Sequence, residues 1–227
     1  TVLANSFLDI DIYIGLKYRF QVGADLGYQR WRNWVPSTAQ GSWISAPPGD
    51  ATANYNTNNY YTWNIENIIS YDKNYRNHNI GVMVGFSAQK FKAEYQNLHG
   101  KGFPDDDISW ITEATAQRQG ATSMTDWTLS SFFTRLDYNY LERYLLQLNF
   151  RRDGSSRFGR GNNYANFPSI SSGWIVSDEA FMKPLRSHLN YLKFRVSYGV
   201  TGNYNIGDYS YLANVSGNSS YAFNGTR

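Results

Sequence analysis

The chain has no cysteine, and only three histidines, three methionines and six prolines among its 227 residues. Without cysteine there is no disulfide framework, no thiolate metal site and no thiol nucleophile. Charge is also sparse: 21 Lys and Arg stand against 18 Asp and Glu, for a net +3. No basic cluster exceeds Arg151-Arg152, which argues against a nucleic-acid partner. No stretch approaches the ~18 consecutive apolar residues of a membrane helix, and the mean hydropathy is −0.55. By hydropathy alone the chain would be filed as soluble. That test does not reach transmembrane barrels, whose inward-facing residues dilute the apolar ones in every strand.

Aromatics are abundant instead: 19 Tyr, 13 Phe and 7 Trp, or 17% of the chain. They suit strands, and they suit a membrane interface, where one end of the ring is dry and the other wet. From Leu16 to Tyr28 the sequence alternates almost without a break. Leu16, Tyr18, Phe20, Val22, Ala24, Leu26 and Tyr28 share one face of an extended segment. Lys17, Arg19, Gln21, Gly23, Asp25 and Gly27 share the other. The run far exceeds the ~5–6 residues of an ordinary strand and passes the ~9–11 that a tilted strand needs to cross a bilayer.

The same alternation recurs at Leu8–Ile14, Tyr61–Tyr71, Ile80–Ala88, Leu136–Tyr140, Tyr144–Phe150, around Trp174 to Val176, and at Leu192–Tyr198. A weaker strand is expected near Tyr209, for about nine in all. Between them the pattern predicts short turns at Gly15, 74–78 and 141–143, and long loops at 33–59, 98–126 and 154–163. Outer-membrane barrels show this rhythm, with short periplasmic turns and longer external loops. The 177–190 connection is the exception, long on the predicted inner side. There Ser177 or Asp178 is expected to cap a single helical turn that Pro184 closes.

Energy assigns the faces. A Lys or Arg facing lipid at mid-membrane costs roughly 2–4 kcal/mol, so Lys17, Arg19, Lys193 and Arg195 belong with Asp25 and Glu66 on a wet side. The expected fold is therefore an all-β, antiparallel transmembrane barrel wall. A large soluble antiparallel sheet with one solvated face is the alternative.

A dense block of motifs runs from Asp137. It comprises Arg143-Tyr144, then Arg151-Arg-Asp153-Gly154-Ser-Ser-Arg157-Phe158-Gly159, then Asn166-Phe167-Pro168-Ser169 and Gly173-Trp174. Asp178-Glu-Ala-Phe181 and Val200-Thr-Gly202-Asn203 follow. In order and spacing this block resembles the SusC/RagA family of TonB-dependent outer-membrane transporters, over about Leu129 to Tyr209. Ala165 departs from the Gly expected ahead of Phe-Pro-Ser. The first 125 residues fit the family only in style.

The resemblance implies a plugged barrel of ~22 strands. Residues 1–227 are then a partial barrel domain, with the plug, the TonB-engaging segment and the C-terminal strands lying elsewhere. It also implies import of oligosaccharides or peptides across the outer membrane of a Gram-negative bacterium, with a SusD-like surface lipoprotein as partner. The motif residues themselves read as structural. Asp153-Gly154 and Thr201-Gly202-Asn203 are turn chemistry, Pro168 fits a strand start or edge, and Gly173 fits a bend or close approach. Trp174 reads as an aromatic-girdle residue.

Catalytic chemistry has little to stand on. His78 and His188 are expected near periplasmic turns and His99 near an external loop, so they do not converge. No enzyme, metal centre or cofactor is expected. Asp105-Asp106-Asp107 offers oxygen ligands of the kind Ca²⁺ takes, although an acidic loop run is ordinarily just solvated. Cargo contact falls instead to external tryptophans, Trp31, Trp34, Trp43 and Trp110, whose indoles stack on sugar rings or hold apolar peptide side chains. Two further readings differ in class: a soluble glycan-binding or adhesin module, and a small complete outer-membrane barrel.

Overall fold

A computed structural model describes residues 1–38, 51–159, 161, 163–185 and 187–208. Their eight strands are β1 (Val2–Tyr13), β2 (Leu16–Val35), β3 (Thr52–Tyr75), β4 (His78–Lys101), β5 (Gln117–Tyr140), β6 (Tyr144–Ser155), β7 (Tyr164–Ile175) and β8 (Lys193–Gly199). They form one sheet in chain order, each antiparallel to the next. The expected ninth strand near Tyr209 lies outside the described residues.

The short turns fall where the sequence places them. Gly15 takes φ +83°, and its carbonyl accepts the Asp72 N–H at 2.8 Å. A β-carbon there would run into the Asp72 carbonyl, so only glycine fits. The 141–143 turn holds both Leu141 and Glu142 at positive φ, a conformation that non-glycine residues rarely take.

The long loops are shorter than predicted, because the strands run on. The pairing of β2 with β3 continues unbroken to Val35 opposite Thr52, and β4 pairs with β5 up to Lys101 opposite Gln117. Segments rich in Asn, Thr and Gln read as loop by composition. Once a neighbouring strand supplies backbone partners they prolong the ladder, helped by interspersed Tyr and Thr. At about 3.3 Å per residue, the 24-residue strands β3, β4 and β5 reach about 80 Å. A band of ~25 Å crossed at a tilt of ~40° uses less than half of that.

The connection after β7 also departs from expectation. It contains two short 3₁₀ turns, Val176–Asp178 and Ala180–Leu185, in place of one helical turn. Ile175, with no side-chain cap, precedes the first, and Pro184 sits inside the second. So short a segment asks few backbone donors of its residues, and a proline is tolerated.

The register carries the alternation of the sequence across the sheet. Phe20, Ile65, Ile69, Val82, Val84, Phe86, Leu136, Leu148, Ile170 and Val196 fall on one face. Asn67 interrupts them, and the Tyr18 hydroxyl donates to its side-chain oxygen at 2.7 Å. The opposite face carries Arg19, Glu66, Arg135, Asp137, Asn149, Arg151 and Arg195. Among the described residues no second layer covers the apolar face: Ile69, Phe86 and Val196 are exposed by 50%, 48% and 74%. The main buried cluster, Ala51, Ala53, Phe103 and Ala114 with Trp34, Tyr55 and Ile111 against it, sits instead at the long-loop end.

The two faces give opposite responses to charge. Val84→Arg, mid-band on the apolar face, is expected to destabilise the folded protein in bilayers by roughly 2–4 kcal/mol. Ser87→Lys, opposite Glu66 on the polar face, should cost less than about 1 kcal/mol. Urea unfolding in liposomes reads both, and equal costs would remove the face assignment.

Candidate functional site

The polar face is tied together by short side-chain contacts between neighbouring strands. Arg19 holds Asp9 through two hydrogen bonds of 2.6 and 2.7 Å. Arg135 donates to Asn149 (3.1 Å) and Asn149 to Ser169 (3.1 Å). Arg151 donates across to Ser131 on β5 (3.0 Å) and also to Asp153 along its own strand (2.6 Å). Toward the short-turn end a cleft of about 380 Å³ opens among Asp72, Asn79, Asp137, Gln147, Lys193 and Arg195.

At the other end of the same face the charges give way to amides and rings. Asn56 is 6% exposed, and its side-chain oxygen accepts from the Tyr95 hydroxyl (2.8 Å) and the Asn97 amide (2.6 Å). The Trp31 ring lies 6.0 Å from that of Tyr95, and His99 meets Asn54 at 2.9 Å. Asn58 donates to Gln29 at 3.2 Å. Asn54, Asn56 and Asn58 were hidden in the predicted loop. The signal that would have found them is their own period of two.

The four candidate tryptophans do not converge. Trp31 lies on the polar face with Tyr95. Trp34, three residues on, falls on the opposite face, where it packs edge-on against Phe103 at 4.7 Å. Trp110 is 65% exposed on that same opposite face, stacked with Tyr55 at 6.3 Å. The Arg32 guanidinium lies 5.1 Å from the Tyr55 ring and 5.5 Å from that of Trp110. Trp43 lies outside the described residues.

Several of the motif residues build one joint. Arg157 pairs with Asp208 at 2.6 Å, both side chains about 14% and 13% exposed, and its guanidinium lies 5.0 Å over the Trp127 ring. Thr125 also donates to Asp208. Tyr204 leans on Trp127 at 5.9 Å, and Phe91 stacks on Trp127 at 5.6 Å. Residues 200–208 are thereby held across the polar face. Gly202 makes this possible, since a β-carbon there would strike the Phe167 ring. Asn203 accepts the Asn205 N–H at 2.8 Å, the expected turn.

Two motif expectations are corrected and one is met. Asp153 and Gly154 lie within β6, opposite Ala165 and Tyr164, and not in a turn. Gly154 leaves room for the Tyr164 ring, which a β-carbon would hit. Pro168 is inside β7 but at the edge the sequence allows, one residue past the last pair with β8, Ser169 and Gly199. Its carbonyl accepts the Val200 N–H at 3.0 Å, so its missing N–H points to the side where β8 has just ended. Gly173 lies in regular strand between Leu145 and Arg195, with only ordinary contacts for a β-carbon. Phe158 and Gly159 occupy the connection after β6, while Arg143 and Tyr144 gather at Glu179 (3.5 and 2.7 Å).

The acidic run is spread apart. Asp106 accepts from the Ser37 N–H (2.7 Å) and hydroxyl (2.9 Å), while Asp105 accepts the Asp107 N–H. Among the described residues no group of three or more His, Cys, Asp or Glu could hold a metal ion. His78 sits at a short turn, His99 at the far end of the same strand, and His188 in the connection before β8.

A single-layer, fully antiparallel sheet of long two-faced strands is a segment of the wall of a transporter-type β-barrel. Solved structures agree: the RagAB peptide transporter aligns over 91% of the chain and 23% of its own, with 22% identity and a TM-score of 0.78. The RagAB importer in its open-open state covers 94%, at a TM-score of 0.82. At that identity they support the fold alone. In sequence the chain is 32% identical over 211 residues to TonB-dependent receptor P39 of Formosa agariphila, covering 92% of this chain and 20% of the relative. It is 35% identical over 181 residues to SusC of Bacteroides thetaiotaomicron, covering 73% and 17%. No family model matches. The chain belongs to the SusC/RagA family of TonB-dependent receptors and spans about a fifth of the length of these relatives.

Two outcomes test this geometry. Asp208→Asn removes a charge-assisted bond of the kind worth about 1.5–3 kcal/mol, so amide exchange across 200–208 should quicken by about tenfold or more. The second concerns pH. The Ser37 N–H foremost, with its hydroxyl and Thr38, holds the Asp106 carboxyl below its ordinary 3.8. A lowered pKa means the tie is complete above that value and lost as pH falls through the folded one. The Ser37 amide ¹⁵N resonance should therefore titrate in the acid limb, and Asp106→Asn should abolish that titration.

Proposed function

We propose that this chain is part of the wall of a TonB-dependent importer in the outer membrane of a Gram-negative bacterium. Its cargo is oligosaccharide or peptide, and a SusD-like surface lipoprotein acts at the long-loop end. In this reading the polar face lines the lumen. The edges of β1 and β8 are continued by further strands, because an open edge in lipid leaves backbone groups unsatisfied. A plug occupies the lumen, and TonB acts through a segment outside this stretch. The wall provides passage and contact and no catalysis.

The observation that carries this reading is the neutral strip of Trp31, Asn54, Asn56, Tyr95, Asn97 and His99 on the lumenal face, above the apolar band. Amides offer donors and acceptors without charge, and an indole supplies a flat apolar surface. That chemistry matches the hydroxyls of sugars and the amides of peptides. Trp34 and Trp110, on the other face, serve the packing of the external end.

Binding of neutral oligosaccharides and of short peptides to the full-length receptor separates the two cargo classes. Trp31→Ala is expected to weaken the true cargo by about tenfold, in keeping with the ~1.5 kcal/mol upper range of a stacked aromatic contact. Trp110→Ala should leave affinity nearly unchanged. If Trp31→Ala binds every cargo like the parent protein, the strip is not the contact site.

A further inference from the structure

The connection between β7 and β8 carries a feature that passage of cargo does not use. On the apolar face, at the short-turn end, aromatic rings follow one another across four strands and into the 3₁₀ turns. His78 lies 4.8 Å from Tyr140, Tyr140 6.1 Å from Tyr144, and Tyr144 6.5 Å from Trp174, nearly parallel at 9°. Phe181 then lies 6.4 Å from Trp174. The polar tips of two of these rings turn to one carboxylate: Glu179 accepts the Tyr144 hydroxyl at 2.7 Å and the Trp174 indole N–H at 3.1 Å. Arg143 approaches its other oxygen at 3.5 Å. The segment is braced from behind, with Val176 and Met182 buried and the Val176 N–H bonded to the Leu192 carbonyl at 2.9 Å. Yet Phe181 and Leu185 are 62% and 51% exposed, with Lys183 between them.

We propose that residues 176–185 are an interfacial foot that seats Phe181 and Leu185 in the periplasmic leaflet of the bilayer, among phospholipid headgroups. The inference rests on the reading of this sheet as a membrane-crossing wall. The occupant follows from continuity: Phe181 extends a row of rings that begins on the lipid-facing surface of β4. A tyrosine and a tryptophan whose tips are already satisfied by Glu179 can turn their ring bodies to the acyl boundary. Lys183, beside Phe181, suits the phosphates at that depth.

The test uses the full-length receptor in phospholipid vesicles with a nitroxide at one introduced cysteine, read for collision with oxygen and with a water-soluble nickel chelate. Phe181→Cys should show an oxygen-to-nickel ratio severalfold above that of Asp107→Cys in the external loop and below that of Val84→Cys at mid-band. Glu179→Ala should then drop the Phe181→Cys ratio toward the aqueous value. A ratio at 181 equal to that at 107, with Val84→Cys still lipid-exposed, means that water or a periplasmic partner faces the foot and overturns the proposal alone. An aqueous reading at Val84→Cys would instead overturn the wall itself. An unchanged ratio after Glu179→Ala would overturn the part assigned to that carboxylate.

Discussion

Backbone hydrogen bonding in a medium without water is the constraint from which the rest of this structure follows. In hydrocarbon every N–H and C=O must find a partner within the protein, and a strand finds its partners only in its neighbours. The eight strands answer with antiparallel ladders in chain order, interrupted by a register shift between Asp11 and Tyr13 in the first. An alternating sequence becomes two continuous surfaces only because the ladders hold register. A slip of one residue would turn Arg19 and Arg195 toward the apolar side.

This constraint also explains why so little of the chain is buried. A soluble domain of this size hides a core between layers, whereas here one layer separates two environments. Stability along the wall comes from cross-strand pairs such as Phe86–Phe132 and Leu136–Leu148 and from the surroundings of the apolar face. Among the described residues the main buried apolar cluster lies where the sheet leaves that band. At the external end a connection folds over Ala53 and Gly100 and buries Phe103 and Ala114. At the opposite end the 3₁₀ turns tuck Met182 inward and leave Phe181 out.

The same logic separates the sites. On the polar face Lys17 meets Asp11 and Arg19 meets Asp9 across strands, while Arg151 meets Asp153 along its own strand; Arg152, on the opposite face beside Phe132, lies over the Tyr164 ring. Above the band the polar face becomes neutral and aromatic, with Trp31, Asn54, Asn56, Tyr95 and His99 in contact with one another or with a neighbour. The joint between Arg157 and Asp208 shows how distant motifs serve one end. Two segments 51 residues apart are fastened by one ion pair under a tryptophan, so that residues 200–208 cross the polar face.

Much of this was legible in the sequence. Periodicity alone defined the strands within the band, the turns at Gly15 and Glu142, and the face taken by Lys17, Arg19, Asp25, Glu66, Lys193 and Arg195, because a period of two is a direct consequence of strand geometry. The motif block identified the family. Composition misled at Asn54, Asn56 and Asn58, where polar residues looked like loop, and at Asp153-Gly154, where turn chemistry lies in a strand. Those outcomes depend on whether a neighbouring strand is present to supply hydrogen bonds, and on whether a ring such as Tyr164 needs the space. The convergence of Tyr144, Trp174 and Glu179, the joining of Arg157 to Asp208, and the parting of Trp31 from Trp34 onto opposite faces belong to the tertiary structure. The sequence determined which side of a strand each residue takes; only the folded sheet decided which residues from different strands meet there, since register and crossing distance are properties of pairs of strands and not of any one of them.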